Sequence, residues 1–191
     1  MKKIERSEIL PIGEYETIRE HFRTRIIELK KARRLQLGDE MSLVFENRDT
    51  MLWQIQEMLR TERITAEKAI AHEMETYNEL VPGDAELSAT LFIEIPDQQR
   101  RNELLERLCA IEEHVAFSVG GALVRATFEE GRRDKGRAAA VQYLKFPLDD
   151  KALAALRTRR GPAQLVFDHP ALSSRFDVPA ATIASLADDV G

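Results

Sequence analysis

The sequence predicts an α+β protein, in which a helix-rich N-terminal half packs on a mostly antiparallel sheet with additional helices. Three observations support this class. Through residues 1–80, apolar residues recur every three or four positions, which is the period of an amphipathic helix. Pro82-Gly83-Asp84 then interrupts the chain, and beyond it the apolar pattern alternates, as in half-buried strands. Gly120-Gly121 lies between two such runs and predicts a two-residue hairpin turn, which joins antiparallel strands.

A long helix is expected near the N-terminus, over about residues 14–34. Its apolar positions recur at spacings of three and four, which places them on one face. They are Tyr15, Ile18, Phe22, Ile26 and Leu29. Gly38 and Asp39 end the helical pattern, and the apolar run at 41–45 predicts a short strand.

A second helix is expected over residues 50–64, and its two faces differ in character. Asn47, Asp49 and Thr50 stand at its start, and their side-chain oxygens can cap the free N–H groups of a first turn. The apolar face comprises Met51, Leu52, Ile55, Met58 and Leu59. The polar face comprises Trp53, Gln54, Gln56, Glu57, Arg60, Glu62 and Arg63. Residues 65–77 are expected to form a further helix, with Thr65 as its cap.

The second half of the chain alternates strands with helices. Strands are expected at 87–95, 115–119, 122–128, 141–146 and, as the final strand, 163–167. Helices are expected from Asp97 to about Ala110, after Asp149 or Asp150, and over 180–188. We expect one compact domain over residues 1–191, and a boundary near 82–84 is the alternative.

Composition and charge narrow the functional classes. With 43% hydrophobic and 32% charged residues, the chain matches ordinary soluble globular proteins. The net charge of −5 lacks the basic excess of a dedicated nucleic-acid binder, so no nucleic-acid partner is expected. The chain has no run of roughly 18–20 apolar residues that could span a bilayer, and no signal-peptide pattern. We therefore expect a cytoplasmic protein without a membrane partner. The basic cluster Lys30, Lys31, Arg33 and Arg34 indicates a solvated face.

The sequence contains no cofactor motif that identifies a ligand. Its single cysteine, Cys109, cannot form an internal disulfide or hold an iron–sulfur cluster, and its helical neighbours indicate an inert buried thiol. Gly131 and Gly136 have the spacing of a phosphate-binding loop. However, Arg137 and Ala138 replace the Lys-Ser/Thr pair that such a loop needs, so this is no nucleotide motif.

No metal site is assigned from the sequence. None of the four histidines has a carboxylate three residues before it, as the Glu-x-x-His motif of di-iron bundles requires. His72-Glu73 begins like a zinc-protease motif, but Thr76 stands where the second histidine should be. A site could still be assembled from distant residues, and the candidate ligands are His72, Glu73, His114 and His169.

The polar face of the second helix is the candidate binding site. The candidate residues, five from this face and two at the helix entrance, are Arg48, Asp49, Trp53, Gln56, Glu57, Arg60 and Arg63. If this face is exposed, its charges form routine surface pairs of about 0.2–0.5 kcal/mol each. If it is buried, every charge needs a partner, and such a network marks a fixed interface or a site. The sequence leaves both interpretations open.

Several segments of the chain carry a family resemblance. They are Arg6-Ser7-Glu8-Ile9-Leu10-Pro11, Phe45-Glu46-Asn47-Arg48-Asp49-Thr50, Gln54-Ile55-Gln56-Glu57-Met58-Leu59-Arg60 and Asp168-His169-Pro170. They resemble an uncharacterised bacterial family, domain of unknown function 3501, over nearly the whole chain. The resemblance implies a gene neighbourhood. Members of the family are similar to proteins whose genes often lie beside those of rubrerythrin-like proteins and of iron–sulfur oxidoreductases of the heterodisulfide-reductase type. It implies no reaction.

Three functional hypotheses follow. The first is an accessory or interaction subunit of a small redox or oxidative-stress system, which contacts a redox partner protein through the polar face of the second helix. The second is a metal-dependent enzyme or metalloprotein that joins Glu57 or Glu62 to a histidine, with His72, His114 and His169 as candidates. The third is a structural homodimer.

Overall fold

The computed structural model describes residues 1–128, 136–159 and 161–190 of the chain. Six α-helices occur in these ranges: α1 (Ile12–Arg33), α2 (Arg48–Thr61), α3 (Glu67–Asn78), α4 (Gln98–Arg107), α5 (Asp150–Arg157) and α6 (Ala180–Val190). The strands are β1 (Arg34–Gln36), β2 (Met41–Glu46), β3 (Glu86–Ile93), β4 (Val115–Val119), β5 (Ala122–Arg125), β6 (Val141–Pro147), β7 (Ala163–His169) and β8 (Leu172–Asp177). The α+β class predicted from the sequence is confirmed.

The strands form two antiparallel sheets rather than the one sheet that the sequence suggested. The first has the order β1-β2-β3-β6 and the second the order β5-β4-β7-β8. Thus β1 and β2, from the helix-rich half, pair with β3 and β6 from beyond the Pro82 turn. Strands from both sides of that turn therefore complete one sheet.

The main core lies between the two sheets. Phe45 and Phe146, from the first sheet, pack on Phe117 from the second, with ring centroids 5.8 and 6.1 Å from the Phe117 ring. All three rings are fully buried. A second hydrophobic cluster joins the N-terminal residues Ile4 and Ile9 to α2 and α3.

Local signals predicted most helix boundaries because capping depends on nearby residues. Asn47 caps α2 by accepting the Thr50 N–H at 3.1 Å, while its own N–H donates to the Thr50 hydroxyl at 2.9 Å. Asp97 and Asp149 cap α4 and α5 by accepting the backbone N–H groups of Arg100 and Ala152, each at 2.7 Å. The predicted cap of α3 was wrong: Ala66 occupies that position without a side-chain hydrogen bond.

Two strands, β1 and β8, were not predicted from the sequence. β1 has three residues and follows α1 directly, so no turn residue separates them. β8 makes the prediction of 163–167 as the final strand wrong, because it pairs with β7 across a two-residue turn at Pro170 and Ala171. Its weak signal has a physical reason: β8 is an edge strand with no fully buried position.

The long helix α1 lies on the outside of the fold. Only Tyr15, Ile26 and Arg33 are buried among its 22 residues. Within the described residues, the structure has no helix whose length and apolar character would suffice to cross a bilayer. The glycine-spaced stretch between Gly131 and Lys135 lies outside the described residues.

Candidate functional site

The polar face of α2 lies against α1, and Glu57 is its centre. The Glu57 carboxylate accepts hydrogen bonds from Arg19 Nε at 2.8 Å and Arg19 Nη2 at 2.9 Å, a bidentate ion pair. It also accepts the Tyr15 hydroxyl proton at 2.8 Å. We call this contact region, together with the pairs described next, the α1–α2 seam.

Three further ion pairs extend the seam. Arg60 Nε donates to Glu16 on α1 at 2.6 Å, and Asp49 accepts from Arg25 on α1 at 2.9 Å. At the entrance of α2, Arg48 donates to the Lys2 carbonyl at 3.0 Å and pairs with the Glu8 carboxylate. α2 is thereby tied to both α1 and the N-terminal segment.

The uncharged residues of the predicted site have partners of a different kind. Gln56 is 2% exposed, and its side chain bonds to both backbone groups of Leu10, at 2.7 Å from N and 3.3 Å from O. The Lys30 ammonium lies over the Trp53 ring, 5.1 Å from its centroid, and within the described ranges the buried indole Nε1 has no acceptor. Arg63, in the turn after α2, is exposed.

The hydrogen bonds between Arg19, Tyr15 and Glu57 shift the pKa values of this cluster in opposite directions. The Arg19 hydrogen bonds lower the pKa of Glu57. Burial, and then the Glu57 hydrogen bond, raises the pKa of Tyr15. Glu57 is therefore a carboxylate and Tyr15 a neutral phenol, and both are engaged inside the molecule. The polar face of α2 is therefore neither a fully exposed surface nor an open site. It is a partly buried interface within the molecule.

A pH-dependent stability follows from Glu57. Because its pKa is lower in the folded state, its contribution is fully present above the unfolded pKa of about 4.3 and is lost as pH falls through the folded pKa. We expect Glu57→Gln to reduce the free energy of unfolding by about 1–2 kcal/mol at pH 7, since hydrogen bonds to a charged group are lost. The difference from wild type should shrink towards pH 3 in urea unfolding.

Glu28→Gln is the matched control, because Glu28 and Lys31 form a solvent-exposed ion pair with each other within α1. We expect it to change the free energy of unfolding by less than about 0.5 kcal/mol. A constant difference between Glu57→Gln and wild type across the pH range would contradict the expectation.

Arg33, the largest fully buried side chain in the described part of the chain, was not among the predicted site residues. Its guanidinium donates to the Phe45 carbonyl at 2.8 Å and the Ser185 hydroxyl at 2.9 Å, and pairs with Asp189 on α6. The basic cluster suggested a solvated residue, and that was wrong for Arg33. The available signal was spacing, since Arg33 stands seven residues after Ile26 and so falls on the buried face of α1.

A second polar cluster lies at the end of the second sheet. His114 Nδ1 is 3.2 Å from Asp168 Oδ1, and Arg125 pairs with the other carboxylate oxygen. The Arg125 hydrogen bond, assisted by His114, lowers the pKa of Asp168 to about 2. The His169 ring packs edge-to-face on His114 with 5.0 Å between centroids. Asp168 is thus the carboxylate partner of His114, and among the described residues the Glu57 carboxylate bonds to Tyr15 and Arg19 rather than to a histidine.

Both nitrogens of His169 are engaged by backbone groups. Nε2 donates to the Cys109 carbonyl at 3.0 Å, and Nδ1 accepts from the Ala171 N–H at 3.1 Å. With both ring nitrogens engaged in this way, His169 has no free nitrogen to offer a metal. The Cys109 thiol is exposed in the turn after α4, so the expectation of a buried thiol was wrong.

The remaining candidate ligands, His72 and Glu73, lie on α3, with His72 exposed. In the part of the chain that the structure describes, no three His, Cys, Asp or Glu side chains are grouped so that they could hold a metal ion.

Comparison with known proteins places this architecture among proteins without an assigned reaction. The family described as "Protein of unknown function (DUF3501)" matches residues 3–190. The crystal structure of a protein of unknown function from Burkholderia pseudomallei K96243, at 1.90 Å resolution, is similar with a TM-score of 0.92. The two sequences are 32% identical, and the match covers 100% of each chain. A search of curated proteins found no match.

Proposed function

This chain belongs to the DUF3501 family, and from that premise we propose that it is a cytoplasmic accessory subunit of a small redox system that docks on a partner protein. The supporting observation is the position of α1, a 22-residue helix of which only Tyr15, Ile26 and Arg33 are buried. A helix that is polar around most of its circumference gains little from core burial. Its exposed surface is available to a partner.

Polar contacts hold α1 on the domain at two places. Near the start of α1, Tyr15 and Arg19 bind Glu57. At the end of α1, Arg33 binds the β2 backbone and α6. Long charged side chains lose conformational freedom when they are held in such contacts. The seam therefore positions a rigid helix, and a partner that binds rigid α1 avoids the entropy of ordering it.

The exposed apolar edge of α1 is where a partner would gain most from contact. Ile18, Phe22 and Leu29 follow one another at spacings of four and seven, so they share one side of the helix. Ile18 is 44% exposed, and the other two are partly exposed. Arg25 Cζ lies 5.4 Å from the centroid of the Phe22 ring, so a positive charge borders these apolar side chains. An apolar centre with a charged rim is the usual arrangement of a protein interface.

The redox character of the partner comes from the family resemblance. Rubrerythrin-like proteins and iron–sulfur oxidoreductases carry their own metal centres. A chain with the single cysteine Cys109 cannot supply a second centre of the iron–sulfur type. Its role in such a system would be to bind and orient the partner.

We expect Ile18→Glu to weaken binding at least tenfold, since a charge would then be buried against an apolar surface. The partners to test are the purified rubrerythrin-like protein and the iron–sulfur oxidoreductase from the same genome. Biolayer interferometry measures both dissociation constants.

Leu123→Glu is the matched control, because Leu123 is 54% exposed on β5 of the other sheet. It should bind as the wild type does. Wild-type protein that binds neither partner, or equal losses for the two variants, would refute docking through α1.

One observation favours a second candidate, an enzyme or metalloprotein. His114 is oriented by Asp168, which Arg125 fixes in turn, and a histidine held this way can act as a general base or a metal ligand. Elemental analysis of protein purified without chelator distinguishes the two candidates. About one metal per chain, lost in His114→Ala, would favour the metalloprotein.

A further inference from the structure

The strand β8 forms an open edge of the second sheet. It pairs with β7 on one side, and within the described residues no strand pairs with its other side. Native proteins usually protect such an edge with a proline, a lysine or a β-bulge, because its free N–H and C=O groups can pair with another chain. From Leu172 to Asp177 the strand contains neither proline nor lysine, and its register with β7 is continuous, without a bulge.

The pairing with β7 determines which backbone groups of β8 face outward. The Val178 N–H donates to the Ala163 carbonyl on β7 at 2.8 Å, so position 178 is hydrogen-bonded towards β7. In an antiparallel pair, hydrogen-bonded and non-hydrogen-bonded positions alternate along each strand. The backbone groups of Ser173, Arg175 and Asp177 therefore point away from β7, where another strand could pair with them.

The side chains of β8 alternate between the two faces of the sheet. Arg175 and Asp177 are exposed on the outer face. Phe176 lies on the inner face, where its ring packs edge-to-face on Phe167 with 5.9 Å between centroids. A cavity of about 500 Å³ adjoins this inner face, and α4 lines its other side with two leucines. Apolar surface is thus left uncovered directly beside the open edge.

A second copy of β8 complements this edge in charge. Two identical antiparallel strands pair about a two-fold axis, and with the axis at Phe176 each Arg175 lies opposite Asp177 of the other copy. The two Phe176 rings then face each other as a non-hydrogen-bonded pair, the type that brings side chains closest. With the axis at Arg175, two like charges would meet, which is destabilising. With the axis at Ser174, neither charge would meet an opposite one.

We propose that the chain forms a symmetric homodimer in which the two β8 strands pair and the second sheets of both copies become one continuous sheet. Ion pairs between Arg175 and Asp177 flank a central pair of Phe176 rings, and the backbone groups of the charged residues supply the hydrogen bonds. Pairing of one short strand buries a small area, so the dimer is a weak and reversible complex. The docking edge lies on α1, a different element, so either proposal can fail without the other.

Sedimentation velocity of the full chain over about 5–500 μM measures the monomer–dimer equilibrium. We expect a dissociation constant of about 10–100 μM. Arg175→Asp and Asp177→Arg should each weaken the homodimer at least tenfold, because like charges then lie opposite each other. Both side chains are exposed, and circular dichroism verifies that the variants keep the fold.

An equimolar mixture of the two variants tests the proposed register. When the Arg175→Asp chain pairs with the Asp177→Arg chain, every opposed pair again joins unlike charges. A heterodimer should therefore form at concentrations at which neither variant dimerises alone. Arg23→Asp is the control, because Arg23 is exposed on α1 and this substitution changes the net charge by the same amount as Arg175→Asp. It should dimerise as the wild type does.

Three results would overturn the proposal. The first is a wild-type chain that stays monomeric at about 500 μM, well above the expected dissociation constant. The second is a homodimer that neither charge reversal weakens, because its interface would then lie elsewhere. The third is a mixture of the two variants that dimerises no better than each variant alone, because the strands would then pair in another register.

Discussion

Replacing Arg33 with Met should lower the free energy of unfolding by about 3–5 kcal/mol, the cost of breaking a buried ion pair from one side. Arg33 is 1% exposed and joins α1 to the β2 backbone at Phe45 and to Asp189 on α6. Methionine fills a similar volume, so little of the loss comes from a cavity. Asp189 and the Phe45 carbonyl of β2 would instead lose the Arg33 donor, and Asp189 would keep its bond from the Asn47 amide at 3.3 Å. Urea unfolding followed by circular dichroism measures the change.

Arg33→Lys keeps the charge but not the planar set of several N–H donors. We therefore expect it to lower the free energy of unfolding by less than Arg33→Met does. Arg23→Met is the control on the exposed side of the same helix, and it should change stability by less than about 0.5 kcal/mol. If Arg33→Met and Arg23→Met have the same stability, Arg33 does not anchor α1.

Replacing Phe45 with Ala should cost about 3–5 kcal/mol, because a large buried ring is lost and a cavity remains. Phe45 packs on Phe117 from the second sheet at 5.8 Å and on Phe146 from its own sheet at 6.3 Å between ring centroids. The substitution therefore loosens the contact between the two sheets. Differential scanning calorimetry should show one transition at a lower midpoint, because both sheets share this core.

Phe92→Ala is the matched control, since Phe92 is only partly buried and lies on the outer face of the same sheet beside Arg34. We expect it to cost less than half as much as Phe45→Ala. Two separate transitions in the Phe45 variant would instead indicate that the two sheets unfold independently of each other.

Elements with strong local signals were predicted well. α1 was expected over about 14–34 and spans Ile12–Arg33, and the Gly120-Gly121 turn joins β4 and β5 as expected. Apolar period, capping side chains and glycine turns act between residues a few positions apart, so one sequence suffices to read them. β8 was missed because a half-exposed edge strand with two serines lacks such a signal.

The sequence predicted the α2 residues of the candidate site but not their partners on α1. Its polar residues were recognised by their unusual types on one helix face, but Tyr15 and Arg19, which bind Glu57, stand about forty positions earlier. Helical spacing shows which residues share a face but not which element covers that face. The Asp168 partner of His114 was missed for the same reason, since 54 positions separate them.

The sequence by itself determined the α+β class, most element boundaries and the family, because these depend on local periodicity and on segment similarity. Only the tertiary structure decided which charges are buried and which partners they have. Arg33 shows the difference most clearly: beside Lys30, Lys31 and Arg34 it is one more basic residue, yet in the fold it is the buried link between α1, β2 and α6. Burial and partnership arise from contacts between residues far apart in the chain, and those exist only once the elements have packed together.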